Sequence, residues 1–165
     1  MKYATLLSLA TLLGLSTLSL GEGLSKGDQA RISVQGICPV SGQRLGEHGP
    51  PVKGEFGAEV VYLCCEDCRG EKANPQHWST IHANFARAQE KCPVMNRQLP
   101  AKPDSIVVDG RVVYVCCPPC SRKIVSDSEK YLAKVDALYL AHLQAQAKAA
   151  SHAGEGHAHA GDCGH

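Results

Sequence analysis

Aromatic residues are scarce in this chain of 165: two Phe, one Trp and five Tyr, one of them Tyr3 in an apolar leader. That excludes a large aromatic core. Imbalance of charge is also absent, with 17 basic against 16 acidic residues and a formal net charge of +1. No basic stripe interleaved with aromatics is present, which argues against nucleic acid as a partner. The chain lacks a Ser-His-Asp set, a recognisable carboxylate pair and a phosphate-cradling glycine loop, so nothing in it points to an enzyme. What stands out instead is cysteine, nine residues in all. Domains below ~70 residues usually need metal ions or disulfides to fold stably.

Long apolar runs occur once. Met1, Lys2 and Tyr3 give a short positive start, and Ala4 to Leu20 form an apolar and small-residue run that ends in Gly21-Glu22-Gly23. This pattern reads as a secretory signal peptide over residues 1–21. An uncleaved membrane anchor is the competing reading, and only then would a membrane be a partner; the Ser, Thr and Gly inside the run make it a weak span. No Cys stands at the end of the run, so a lipoprotein-type anchor is not supported. The expectation is export, to a periplasm or beyond, where thiols meet an oxidising environment. Residues 22–34 read as a linker.

The remainder is organised by an internal repeat. Cys38-Pro39-Val40 returns as Cys92-Pro93-Val94, and Val60-Val61-Tyr62-Leu63-Cys64-Cys65-Glu66-Asp67-Cys68 returns as Val112-Val113-Tyr114-Val115-Cys116-Cys117-Pro118-Pro119-Cys120. The repeat defines one module over 35–88 and a second over 89–147. In the second, β-branched runs from Ser105 to Val108 and Arg111 to Val115 flank Asp109-Gly110, a strong hairpin signal. The first has a looser version with Gly57-Ala58 at the turn. Asn74-Pro75 looks like an N-cap followed by proline at the first helical position, leading to Trp78, Ile81 and Phe85 at helical spacing. Ser126 and Glu129 fit a capping box for a long C-terminal helix whose stripe is Tyr131, Leu132, Val135, Leu138, Tyr139 and Leu143. The expected fold class is small α+β, with each unit a cysteine loop, a β-hairpin and a helix.

Within each unit the hairpin folds the chain back, returning the end of its last strand to the distant cysteine. Three thiolates can then face one ion, and soft thiolate sets select Zn(II) or Cu(I) over hard cations. Cys64 with Cys68, and Cys116 with Cys120, are the favoured ligands beside Cys38 and Cys92. Strand alternation would turn Cys65 and Cys117 to the other face, leaving each as a fourth ligand or a core thiol. Cys68 and Cys120 are expected near helix starts, where the dipole favours the thiolate. A zinc knuckle would carry a second cysteine where this chain has Ser41 and Met95. The Met95 thioether beside thiolates suits Cu(I); packing in the module's small core is its other reading. Two different accounts of the cysteines compete with metal: a disulfide framework in an extracytoplasmic interaction module, and thiol-disulfide redox motifs in Cys65-x-x-Cys68 and Cys117-Pro118-Pro119-Cys120. Redox enzymes of that kind use a larger βαβ scaffold, for which neither unit has room.

Cys-Pro-Val, then Val-Val-Tyr-Xaa-Cys-Cys-Xaa-Xaa-Cys, then the segment Ser126-Asp127-Ser128-Glu129-Lys130-Tyr131-Leu132-Ala133-Lys134, resembles the small heavy-metal-binding modules of the TRASH and YHS type. The resemblance spans roughly residues 36 to 136 and is closest in the second unit. It implies a treble-clef-like module, metal ligation by Cys38, Cys64 and Cys68 and again by Cys92, Cys116 and Cys120, and a place in metal sensing, trafficking or resistance. A metal transporter or efflux component is the kind of protein partner it implies. The first unit departs from the family pattern at Asn74-Pro75-Gln76-His77-Trp78 and in its longer first loop.

After Gln146 the chain becomes Ala, Gly and His. Residues 148–165 therefore read as a tail without a core, expected to be disordered when free. His157, His159, Cys163 and His165 could capture Cu, Ni or Zn weakly; incidental histidines on a solvated tail are the other reading. His48, His77, His82 and His142 are isolated and read as surface or locally bonded side chains.

Overall fold

A computed structural model describes residues 24–154. It is a small α+β fold of two tandem treble-clef-like units. The first opens on α1 (Lys26–Gln35), whose start is capped by Ser25 accepting from the Asp28 N–H at 3.0 Å and whose end is Gly36 at φ 76°. The expected linker over 22–34 is thus mostly helix. Its buried face is made of Ala30, Arg31, Val34 and Gln35, too polar for an apolar stripe to reveal it. Strands β1 (Val52–Phe56) and β2 (Glu59–Leu63) pair antiparallel from Val52 opposite Leu63 to Phe56 opposite Glu59. A single 3-10 turn over Glu66–Cys68 follows. Helix α2 (Pro75–Gln89) starts as expected, the Asn74 side chain accepting from the Gln76 N–H at 2.9 Å with Pro75 in the first turn.

The second unit repeats the plan with β3 (Asp104–Val108) and β4 (Arg111–Val115), paired around Asp109-Gly110. Its cysteine turn then runs straight into α3 (Pro118–Ser126), and α4 (Ser128–Gly154) comes after a break at Asp127. The expected capping box at Ser126 is not formed. Ser126 closes α3 instead, its hydroxyl donating to the Lys123 carbonyl at 2.8 Å. Helix α4 continues through residues 148–154, the start of the segment expected to be a tail. Among the described residues no helix is long and apolar enough to cross a membrane. The leader over 1–21 lies outside them.

The units do not have separate cores of equal size. One large cluster gathers Ala30 and Val34 of α1, Ile81, Phe85 and Ala88 of α2, the β4 residues Val112 to Val115, and Ile124, Leu132, Val135 and Tyr139. Helix α4 lies across α1 and α2, and Tyr139 stacks on Phe85 with ring centroids 5.8 Å apart. The first unit's own cluster is small: Cys38, Leu63, Cys64 and Cys68, flanked by Val40, Leu45, Val52, Phe56 and Cys65.

The two hairpins meet at Val60. Its N–H donates to the Gly110 carbonyl at 2.7 Å, and its carbonyl accepts from Arg31 at 2.7 Å. Arg111, beside Gly110, is paired with Asp136 of α4. Gly110 is needed twice over: its φ is 73°, and a Cβ there would lie 2.6 Å from Val60 Cγ2. Gly57 occupies the matching turn at φ 63° with open space around it. Gly110→Ala is expected to cost ~2–4 kcal/mol, combining backbone strain and the clash. Gly57→Ala should cost only the backbone part, ~1–2 kcal/mol. Denaturant titration of the two variants against the parent checks the difference.

Candidate metal centres

Each site begins with a tight turn that presents one cysteine. In the first, the Cys38 N–H donates to the Gln43 carbonyl at 2.8 Å, the Gly42 N–H donates to the Cys38 carbonyl at 3.0 Å, and Ile37 bridges Arg44. In the second, the Cys92 N–H donates to the Arg97 carbonyl at 2.9 Å, the Asn96 N–H donates to the Cys92 carbonyl at 2.8 Å, and Lys91 bridges Gln98. Both turns need a left-handed residue at the same point, filled by Gly42 at φ 75° and Asn96 at φ 52°. Asn is the side chain that tolerates this region best after glycine. Only Gly fits the first, because the His77 ring of α2 lies where a Cβ would go, with Nε2 at 2.6 Å.

The hairpins deliver the remaining sulfurs. Cys38, Cys64 and Cys68, all buried, have their sulfurs within 4.8 Å of one another, and so do Cys92, Cys116 and Cys120. Cys64 and Cys68 Sγ are 3.7 Å apart, and Cys116 and Cys120 Sγ 4.0 Å. Four sulfurs set tetrahedrally at ~2.3 Å from zinc lie ~3.8 Å from each other, so the spacing and the donor type both fit a thiophilic ion. A disulfide would bring a pair to ~2.05 Å; all eight described cysteines are free thiols.

Cys65 and Cys117 stay with their clusters. Cys65 Sγ is 3.8 Å from both Cys64 and Cys68, and Cys117 Sγ is 3.8 Å from Cys116 and 3.2 Å from Cys120. Cys65 and Cys117 both keep extended backbone, at φ −160° and −166°, and each lies outside the group of three sulfurs that are all within 4.8 Å of one another. Met95 is 52% exposed and so is not packed in a core. Its counterpart Ser41 places Oγ 3.4 Å from Cys64 Sγ. His77 packs on the first turn, His82 lies between Trp78 and Tyr114, and His142 bonds Gln146. His157, His159, Cys163 and His165 lie outside the described residues.

Charge is distributed unevenly among the thiols. Burial works against the Cys38 thiolate, but the N–H groups of Ser41, Cys64 and Val40, with the Ser41 hydroxyl, outweigh it and bring its pKa down to about 7. Burial pushes Cys64, Cys68 and Cys120 up. The helix-start expectation for Cys68 and Cys120 is therefore reversed: desolvation exceeds any help from the dipole. In the second cluster the lowered thiol is Cys117, which sits at the N-cap of α3 and accepts hydrogen bonds first from the Cys120 thiol, then from Cys116 and the Cys120 N–H. The Arg97 guanidinium lies against Cys116, with Cys117 and Cys120 in its field. An ion entering either cluster must displace protons from the raised thiols.

Two residues that sequence reasoning missed hold both sites together. Gln35, at the end of α1, donates to the carbonyls of Ile37 at 2.9 Å and Tyr62 at 2.7 Å and accepts from the Tyr62 N–H at 2.9 Å. Gln89, at the end of α2, does the same with Lys91 at 3.0 Å and with Tyr114 at 2.7 and 2.9 Å. Both are wholly buried. The signal was present as Gln-x-x-Cys-Pro-Val, which occurs at 35–40 and at 89–94. The tyrosines carry the likeness further, since Tyr62 Oη bonds Asp28 on α1 and Tyr114 Oη donates to the His82 carbonyl on α2 at 2.9 Å.

No protein-family model, curated protein or solved structure matches the chain.

Gln89→Leu removes the partner of three backbone groups, two of them on Tyr114, and is expected to cost ~3 kcal/mol or more. Gln35→Leu should cost a similar amount. Urea unfolding of the reduced, metal-free chains measures both.

Proposed function

We propose that the chain is an exported, non-enzymatic metal-binding protein of the TRASH and YHS type that holds Cu(I) or Zn(II) on thiolates and serves heavy-metal trafficking, sensing or resistance. The observation that carries this reading is the recurrence, at equivalent positions of two repeated units, of three sulfurs gathered within 4.8 Å. Three thiolates so close repel one another when ionised and gain nothing from proximity unless a cation joins them. Free thiols at all eight described positions support metal over a stapled framework. Cys65 and Cys117, each beside two of the three sulfurs, are the candidates for a fourth ligand.

The leader supports export, and the histidines of the tail support capture of an ion before it reaches a cluster. Delivery to or from a transporter or efflux component fits a small carrier that has no catalytic machinery of its own. Within the first cluster Cys38 would be charged before Cys64 and Cys68, since its thiol is held down to about 7 and theirs are pushed up.

Native mass spectrometry of the full chain, purified anaerobically with reductant, is expected to show two ions held by the clusters. Cys38→Ser should remove one and Cys92→Ser the other, each leaving the second site loaded. Full occupancy after replacing Cys64, Cys68, Cys116 and Cys120 together by serine would sink the proposal.

A further inference from the structure

The two clusters differ at one pair of sulfurs. Cys117 and Cys120 Sγ stand 3.2 Å apart, whereas the corresponding Cys65 and Cys68 Sγ stand 3.8 Å apart, and neighbouring pairs lie between 3.7 and 4.0 Å. The connection between them differs too. Cys117 is the N-cap of the nine-residue α3, with Pro118 and Pro119 in its first turn, and the Cys120 N–H donates to the Cys117 carbonyl at 3.0 Å. Two prolines fix φ through that turn and hold the sulfurs in register. In the first unit the link is Glu66-Asp67 in a short 3-10 turn without proline, and the Glu66 carboxylate is turned to the Arg69 guanidinium. In the second unit the Arg97 guanidinium lies against Cys116, with Cys117 and Cys120 in its field. Cys117 is half-buried and Cys120 buried, so one sulfur is presented for attack with the other behind it, an exposure pattern that Cys65 and Cys68 share.

We propose that Cys117 and Cys120 form a redox-active dithiol that gates the second metal centre: a low-molecular-weight disulfide oxidises the pair and withdraws Cys120 from its ligand set, while the first centre keeps its ion. The gating rests on the metal-binding reading above; the chemistry of the pair does not. The Cys117 thiolate attacks one sulfur of the incoming disulfide, forming a mixed disulfide and expelling the other half as a thiolate. Cys120 then loses its proton and attacks Cys117 Sγ, closing the Cys117–Cys120 bond and expelling the second half. Two electrons pass from the pair to the oxidant, which leaves as two thiols carrying the two protons. Arg97 favours an anionic oxidant, and oxidised glutathione is the probe of that class. Once Cys120 is taken, Cys92 and Cys116 alone are too few for a closed site.

The test uses the full-length chain. Reduced, metal-free protein is equilibrated against graded mixtures of reduced and oxidised glutathione, alkylated, and mapped by peptide mass spectrometry. Cys117–Cys120 is expected to close at least tenfold before Cys65–Cys68 on the oxidant scale. Simultaneous closure of both pairs, or a first bond between other cysteines, overturns the proposal. Zn(II)-loaded protein given the same oxidant should fall from two ions to one by native mass spectrometry. Cys117→Ser, compared with its own reduced occupancy, should lose none. Retention of both ions with the Cys117–Cys120 bond formed also overturns the gating. A chain that binds no zinc when reduced fails the metal reading alone, and the order of disulfide closure still decides whether the pair is redox-active.

Discussion

The side chains of Gln35 and Gln89 each make three hydrogen bonds to backbone at two places, the segment just before a cysteine turn and the middle of a strand some 25 residues on. The approach of Cys38 to Cys64, and of Cys92 to Cys116, follows from them. Hydrophobic burial is strong but non-directional, and the first unit's cluster has only four buried members, three of which are the cysteines themselves. Such a cluster cannot fix one chain segment against another to within an ångström. A buried amide can, because leaving its backbone partners unpaired is costly. Tying the strand at Tyr62 or Tyr114 sets where the next two residues leave the pleat, and so where Cys64 or Cys116 emerges.

Stability and chemistry are accordingly divided between different parts of the molecule. The large cluster under α4 belongs to both units and draws on α1, α2, β4 and α3. The first site sits away from it at the end of a hairpin, with Cys38, Cys64 and Cys68 buried and Cys65 partly open. The second borders the shared core through Cys92 and Cys120 but leaves Cys116 and Cys117 partly open beside Arg97. Equal motifs have thus produced unequal surroundings, one enclosed and hydroxyl-lined, the other accessible and next to a cation.

Several of these features could be read before any coordinates. Asp109-Gly110 between β-branched runs specified its hairpin because few residues fit that turn, and Asn74-Pro75 specified the start of α2 for the same kind of reason. The recurrence of Cys-Pro-Val and of the cysteine triplet defined the two clusters. Helix α1 was not readable from periodicity, since two of its four buried residues are Arg31 and Gln35, whose burial depends on hydrogen bonds to β2. The start of α4 was misplaced by one element: Ser126 and Glu129 have capping-box spacing, yet proline-initiated α3 already occupies Ser126. The raised thiols of Cys68 and Cys120 are hidden from the sequence because burial, which sequence does not report, outweighs their position near a helix start.

Helix α2 is used twice. It closes the first unit, resting on the Cys38 turn through Asn74 and His77, and it opens the second, ending in the Gln89 clamp. One fifteen-residue rod therefore has a cysteine cluster anchored at either end. Fraying at its N-terminus would loosen one cluster and fraying at its C-terminus the other. The two would thus be coupled through a shared helix and not through a shared sulfur.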